Sequence, residues 1–256
     1  MSRPLHVYFL PSEFEPEKLR NGTAVIVDIL RASTTMTHAL ANGADCVIPC
    51  GSVDDAIGLR DLETGGSYLL GGERGGIKID GFDLSNSPDD YSQQVVEKRK
   101  IGFTTTNGTR ALLRSQQATE IIIGAFVNLQ TVASHLLKNE NAVHIVCAGT
   151  DGAITGEDVL FAGALSALLV ERKADDFDVT DSARIAMSFW HQKCGSTTGS
   201  TEVEQAMRKT QGGRNLIRLG YEKDIATASA IDSVPVLGKV FDGPVIRSAN
   251  GSSSPL

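Results

Sequence analysis

At three places along this chain of 256 residues, an apolar run gives way to a helix-like segment through a cluster of groups that do chemistry. The first is Val27-Asp28-Ile29-Leu30-Arg31-Ala32-Ser33-Thr34-Thr35. Backbone N–H groups and the dipole at a helix start favour an anion, and the hydroxyls of Ser33, Thr34 and Thr35 add donors. Arg31 suits bidentate binding of phosphate or carboxylate. Asp28 cannot bind an anion, so it is either a metal ligand or the partner that orients Arg31. A plain helix cap with an Arg–Asp ion pair uses the same residues without any ligand.

The second cluster, Phe103-Thr104-Thr105-Thr106-Asn107-Gly108-Thr109-Arg110, repeats that order: strand, hydroxyls, Asn-Gly turn, threonine, then arginine. The third is Cys147-Ala148-Gly149-Thr150-Asp151-Gly152, with Glu157 and Asp158 close behind. Its small residues, Gly149 among them, let the backbone approach a ligand. Mg²⁺ takes hard oxygen ligands, typically one or two carboxylates plus phosphate oxygens, which makes Asp151, Glu157 and Asp158 candidate ligands. A solvated acidic helix start accounts for the same three acids. A fourth segment, Gly71-Gly72-Glu73-Arg74-Gly75-Gly76 through Gly81-Phe82-Asp83-Leu84-Ser85-Asn86-Ser87-Pro88, reads as a long active-site loop. It closes on a helix start with Ser87 as cap and Pro88 in the first turn, where amides near Asn86 and Ser87 face an anion.

The elements that must hold these clusters alternate between strand and helix. Strands are expected over Leu5–Leu10, Thr23–Ile29, Cys46–Pro49, Ser67–Leu70, Lys100–Thr104, Glu120–Gly124 and Ala142–Cys147. The middle ones, such as Ala24-Val25-Ile26-Val27, are apolar throughout, which marks strands covered on both faces. Helices are expected over Thr34–Asn42, Val53–Glu63 (ending before Gly65-Gly66), Gly108–Arg114, Leu129–Lys138 and Glu157–Arg172. Beyond them come Thr180–Lys193, Glu202–Lys209, Gly213–Leu219 and Lys223–Ser229, then a short strand over Val234–Val240. The fold class is therefore α/β: a mostly parallel sheet covered by helices on both faces, with a helix-rich C-terminal third. Residues 1–178 are expected to form the phosphate-ester-binding core, 179–247 a helical segment packed on it, and 248–256 a flexible tail. A polar linker is expected over Gly195–Ser200.

Lys and Arg number 24 against 31 Asp and Glu, a formal net charge of −7, which argues against a nucleic-acid or anionic-membrane partner. No apolar run reaches the roughly 18 residues of a membrane span, and the N-terminus lacks the architecture of a signal peptide. Cys46, Cys50, Cys147 and Cys194 follow no disulfide or zinc spacing, as expected of reduced thiols in a cytoplasmic protein. The chain has no Gly-x4-Gly-Lys-Ser/Thr loop, no dinucleotide fingerprint and no Gly-x-Ser-x-Gly elbow. Leu30 stands where a paired-aspartate phosphatase has its second acid, and Ala153 where a cysteine phosphatase has its arginine.

The blocks Asp28 to Thr35, Gly71 to Gly75, Gly81 to Pro88, Thr105 to Arg110 and Cys147 to Gly152 resemble the 2-phosphosulfolactate phosphatase family. So does Asn215-Leu-Ile-Arg-Leu-Gly220-Tyr-Glu-Lys-Asp224-Ile225. The likeness runs in order from about Leu5 to Val240. It implies an Mg²⁺-dependent phosphatase with an α/β fold of its own, hydrolysing 2-phosphosulfolactate to sulfolactate and phosphate in the route to coenzyme M. On that reading Mg²⁺ sits among Asp28, Glu73 and Asp158. Arg31 and Arg110 hold the equatorial oxygens, and Ser33, Thr34, Thr35, Thr106, Asn107 and Thr109 donate hydrogen bonds. Arg74 takes the sulfonate or carboxylate, while Thr105 and Gly108 belong to the phosphate-binding turn. Water is the expected nucleophile, with attack by Asp28 or Cys147 as alternatives. The expected partner is a small anionic phosphate ester; self-association stays open. Another small phosphorylated hydroxy acid as substrate, or anion binding without turnover, are the competing functions.

Overall fold

The computed structural model describes residues 2–61, 68–195, 199–241 and 243–249. The strands are β1 (Arg3–Tyr8), β2 (Gly22–Val27), β3 (Cys46–Pro49), β4 (Tyr68–Arg74), β5 (Ile77–Lys78), β6 (Lys100–Thr104), β7 (Glu120–Gly124), β8 (Ala142–Cys147), β9 (Phe177–Val179), β10 (Gly238–Val240) and β11 (Ile246–Ser248). The helices are α1 (Ala32–Ala41), α2 (Val53–Asp61), α3 (Gln93–Val96), α4 (Gly108–Arg114), α5 (Leu129–Leu136), α6 (Gly156–Arg172), α7 (Asp181–Cys194), α8 (Ser200–Met207), α9 (Gln211–Leu219) and α10 (Glu222–Ser229).

The expected α/β architecture is present. The sheet order is β5-β4-β6-β3-β11-β10-β7-β2-β8-β1-β9. Side chains along its central strands alternate between two apolar cores. Val25 and Val27 of β2, Ile122 of β7 and Ile145 of β8 pack on the side of α5, α6 and α7. Ala24, Ile26, Ile121, Ile123 and Val146 pack on the opposite side, with Met36 of α1 and Leu112 of α4. Because a strand's side chains alternate with period two, both sets must be apolar, hence the unbroken hydrophobic runs.

Two parallel blocks make up the sheet, β4-β6-β3 and β7-β2-β8-β1-β9. The antiparallel hairpin β10–β11 bridges them, through Lys239 opposite Ile122 and Ile246 opposite Val47. Three antiparallel steps reverse direction, so the two blocks run in opposite senses. In a flat sheet their carboxyl ends would lie on opposite edges. Twist of about 20–25° per strand accumulates to roughly 100–125° over the five steps from β6 to β2, which swings the two sets of carboxyl ends toward each other.

Several elements differ from expectation. β11 was not foreseen, and Ser248 lies in it rather than in a loose tail; the Ala249 N–H donates to Leu237 O at 2.8 Å. A three-residue strand is too short to show periodicity, and the rest of the expected tail, from residue 250, lies outside the described residues. The strand expected over Val234–Val240 is confined to its last three residues. β4 runs on through Arg74, so the start of the expected loop is strand, paired with β5 through Glu73 and Lys78. The far end of the helix expected to Glu63, its Gly65-Gly66 stop and Ser196–Thr198 of the expected linker lie outside the described residues. Among the described residues no helix is long and apolar enough to cross a membrane.

Candidate active site

Carboxyl ends from both blocks converge on one cavity of about 270 Å³. Asp28 and Arg31 reach it from the β2–α1 turn, Glu73 from β4, Thr106 and Asn107 from the β6–α4 turn, and Thr150 and Asp151 from the segment after β8. Asn86 adds to the wall, and α9 contributes Asn215, Arg218 and Leu219.

Close backbone packing places the acids. Gly72 has φ +141°, and a methyl there would lie 2.0 Å from Thr104 O, so only glycine lets β4 pass this near β6. That approach sets the Glu73 carboxylate against the next turn: Oε1 accepts the Thr106 N–H at 2.8 Å and Oε2 the Gly76 N–H at 2.7 Å. Asp28 accepts the N–H groups of Ala32 and Gly108. Burial, then the like charge of Glu73, push its carboxyl up to about 7 despite those donors. Asp158 lies behind it and fastens β2 to β8. Its Oδ1 accepts the Ile29 N–H at 2.9 Å, and its Oδ2 accepts the Gly149 N–H at 3.0 Å and the Thr155 hydroxyl at 3.1 Å. Burial and the charges of Asp28 and Glu157 hold the Asp158 carboxyl well above its ordinary range.

The site residues expected from the sequence therefore separate into groups. Asp28, Arg31, Glu73, Asn86, Thr106, Asn107 and Asp151 share the cavity. Asp151 adopts φ +52°, and its N–H donates to Asn107 Oδ1 at 3.1 Å. Thr105, Thr109 and Arg110 line a neighbouring cleft of about 830 Å³ that meets the first at Thr106. Arg110 thus stands apart from Arg31. The hydroxyls of Ser33, Thr34 and Thr35 are fully buried and donate to the carbonyls of Ile26, Ile29 and Asn86, so they brace the turn rather than face a ligand. Arg74 points outward, donating to Glu73 O and Thr104 Oγ1. Ser87 is a buried donor to Asp224. Gly108 and Gly149 act through their N–H groups on Asp28 and Asp158. Cys147 is wholly buried, its thiol pushed well above the ordinary value by burial and by Asp158, which removes it as a nucleophile.

Asn215 and Arg218 of the cavity wall had no role assigned from the sequence, nor did two residues that hold Arg31. Asp224 of α10 pairs with Arg31 at 2.6 Å, and Tyr221 places its ring 4.3 Å from the Arg31 guanidinium carbon. Both fall in the C-terminal block that carried part of the family resemblance, which was the available signal.

Residues 8–243 match the family described as 2-phosphosulpholactate phosphatase. The chain belongs to this family. Curated relatives named "Probable 2-phosphosulfolactate phosphatase" match over most of their length. The protein from Caldanaerobacter subterraneus subsp. tengcongensis is 35% identical over 241 residues, 94% of this chain and 97% of its own. That from Caldicellulosiruptor saccharolyticus is 36% identical, covering 83% and 86%. That from Carboxydothermus hydrogenoformans is 37% identical, covering 87% and 90%. As a member of a phosphatase family, the chain is a hydrolase acting on a phosphoric monoester. The cavity walls suit such an ester, with a guanidinium and amide-bearing side chains beside paired carboxylates.

The donor set also fits a divalent cation, though not in the arrangement expected from the sequence. Among the described residues no three His, Cys, Asp or Glu side chains form a ready cage. Asp158 is committed to its three donors, and Glu157 packs against Gly212 of the cavity wall, one of its oxygens buried without a partner. Asp28, Glu73 and Asp151 are the carboxylates that line the cavity, and the repulsion between Asp28 and Glu73 is what a bound cation would relieve. Two carboxylates plus substrate and water oxygens is the usual way Mg²⁺ is held.

Proposed function

We propose that this protein hydrolyses 2-phosphosulfolactate to sulfolactate and phosphate in the cavity between the two blocks, with Mg²⁺ held by Asp28 and Glu73. The observation that carries this reading is the meeting of Asp28, Glu73 and Arg31 in one small cavity of a 2-phosphosulpholactate phosphatase family member. When bound, the ion supplies Lewis-acid polarisation of the phosphoryl group. Arg31 holds non-bridging phosphate oxygens, and Thr106 and Asn107 donate to the same group as charge builds on it. Arg218 and Asn215, on the α9 wall, face the sulfonate and carboxylate.

Phosphate release from 2-phosphosulfolactate in the presence of Mg²⁺ tests the proposal. The wild type is expected to turn over, and Asp28→Asn and Glu73→Gln to lose about a thousandfold in kcat/KM while remaining folded. Turnover that survives both substitutions refutes it. A second reading, a wider range of phosphorylated hydroxy acids, is favoured by the adjoining cleft of about 830 Å³. Esters of increasing tail length, compared by kcat/KM, separate the two.

A further inference from the structure

Arg31 shares its cavity with Asp28 and Glu73, and a guanidinium beside two buried carboxylates is strongly drawn to them. Such a collapse would fill the place of a phosphate ester and occupy the acids. Among the described residues, however, the ion pair of Arg31 is with Asp224 of α10, which does not itself line the cavity. Nη1 lies 2.6 Å from Asp224 Oδ2, Nη2 donates to Gly76 O at 2.7 Å, and the Tyr221 ring covers the guanidinium face. Asp224 is itself fixed, its Oδ1 accepting the Ser87 hydroxyl at 2.7 Å. Arg31 and Asp224 are both almost wholly buried, so water does little to weaken the pair.

We propose that Asp224 is a positioning residue that tethers Arg31 toward α10 from behind the cavity lining, keeping it off Asp28 and Glu73 and leaving its remaining N–H groups free for phosphate. This rests on the function proposed above, and it gives α10 a part in substrate binding that acts through Arg31. The partners come from three distant segments: Gly76 after β4, Ser87 before the Pro88 turn, and Tyr221 with Asp224 at α10. An aspartate serving only to stabilise the fold would affect turnover whether or not Arg31 were present.

The test is a double-mutant cycle on the full chain, reading KM and kcat for 2-phosphosulfolactate with Mg²⁺. Asp224→Asn should raise KM about tenfold or more with a smaller change in kcat, and Asp224→Glu should recover part of the loss. In an Arg31→Gln background, Asp224→Asn should add less than about twofold. Multiplicative effects in the double variant, or an unchanged KM in Asp224→Asn, overturn the proposal. If Asp224→Asn does not fold, Ser87→Ala takes its place in the same cycle: a smaller KM rise that vanishes with Arg31→Gln supports the tether, and an undiminished one overturns it. If the wild type releases no phosphate, the functional reading fails, and titration with inorganic phosphate decides the tether instead. Affinity lost on Asp224→Asn but not lost further in the double variant supports it; unchanged affinity refutes it.

Discussion

Gly108 is the residue whose substitution reports most directly on how finely Asp28 must be placed. A methyl built there lies 2.6 Å from Asp28 Oδ2 and 2.9 Å from the Ala32 methyl, whereas ordinary contact begins at 3.4 Å. Either the carboxylate or the start of α4 must move by about 0.8 Å, the difference between 3.4 and 2.6 Å. The movement also spoils the hydrogen bond from the Gly108 N–H to Asp28. Misplacement of a reacting group by about 1 Å costs on the order of a hundredfold, so Gly108→Ala should lower kcat/KM by about 10²-fold, roughly 2.7 kcal/mol of barrier. Stability should change much less. Alanine gains about 1 kcal/mol over glycine in a helix, against about 1–3 kcal/mol for the crowding. Gly58→Ala in α2 is the control: no atom lies within 4 Å of a methyl there, so activity should be unchanged and stability slightly raised. Initial rates of phosphate release and thermal midpoints of both variants are compared with wild type. A Gly108→Ala enzyme within about threefold of wild-type kcat/KM would refute the placement argument.

Away from the site, a methyl on Gly163 of α6 would lie 2.1 Å from Ala186 O of α7; Gly163→Ala should cost about 1–3 kcal/mol and lower the melting midpoint by several degrees. Arg31→Gln should reduce kcat/KM by about a hundredfold, whereas Arg110→Gln, in the neighbouring cleft, should change it by less than about threefold; equal losses would place both arginines on the phosphate. His144 is held down to about 4, first by burial and then by the stacked His6, so its neutral form is the one the fold tolerates. Its contribution to stability is complete above the unfolded value near 6.5 and is lost as pH falls toward 4, with a ceiling of roughly 3 kcal/mol. Urea midpoints at pH 7 and pH 5 should therefore differ less in His144→Gln than in wild type, and an identical difference would refute the assignment.

Much of the scaffold was legible because local chemistry and tertiary context agree. β3, β6, β7 and β8 begin and end where their apolar runs do. α4 starts at the Asn107-Gly108 turn, as its sequence indicates. Legibility failed where one residue type serves two purposes. Gly71 and Gly72 look like loop, because glycine is poor in strands, but β4 uses Gly72 to reach Thr104. Ser33, Thr34 and Thr35 look like anion donors, yet buried hydroxyls near a helix start bond to nearby carbonyls just as readily. The Arg31–Asp224 pair spans 193 positions. No local pattern distinguishes Asp224 from any other acid on an amphipathic helix, whereas Asp28 announced itself by standing at a strand end and Glu73 by lying among the glycines of a long loop.

The charge of the cavity sets what must happen before any chemistry. Asp28, Glu73 and Asp151 line it against Arg31 and Arg218, and the Arg31 charge is already matched by Asp224. A substrate carrying phosphate, sulfonate and carboxylate meets a wall with no surplus of positive charge, on a chain whose formal net charge is −7. Divalent cation should accordingly govern affinity as well as rate. With Mg²⁺ removed by chelator, inorganic phosphate should bind at least about tenfold more weakly in a calorimetric titration, since each tenfold is only 1.4 kcal/mol and like charges at 4–6 Å easily exceed that. Raising ionic strength should not restore the affinity, because buried charges are poorly screened. Phosphate binding that is indifferent to Mg²⁺ would mean that Arg31 and the amide groups suffice, and that Asp28 and Glu73 hold no ion.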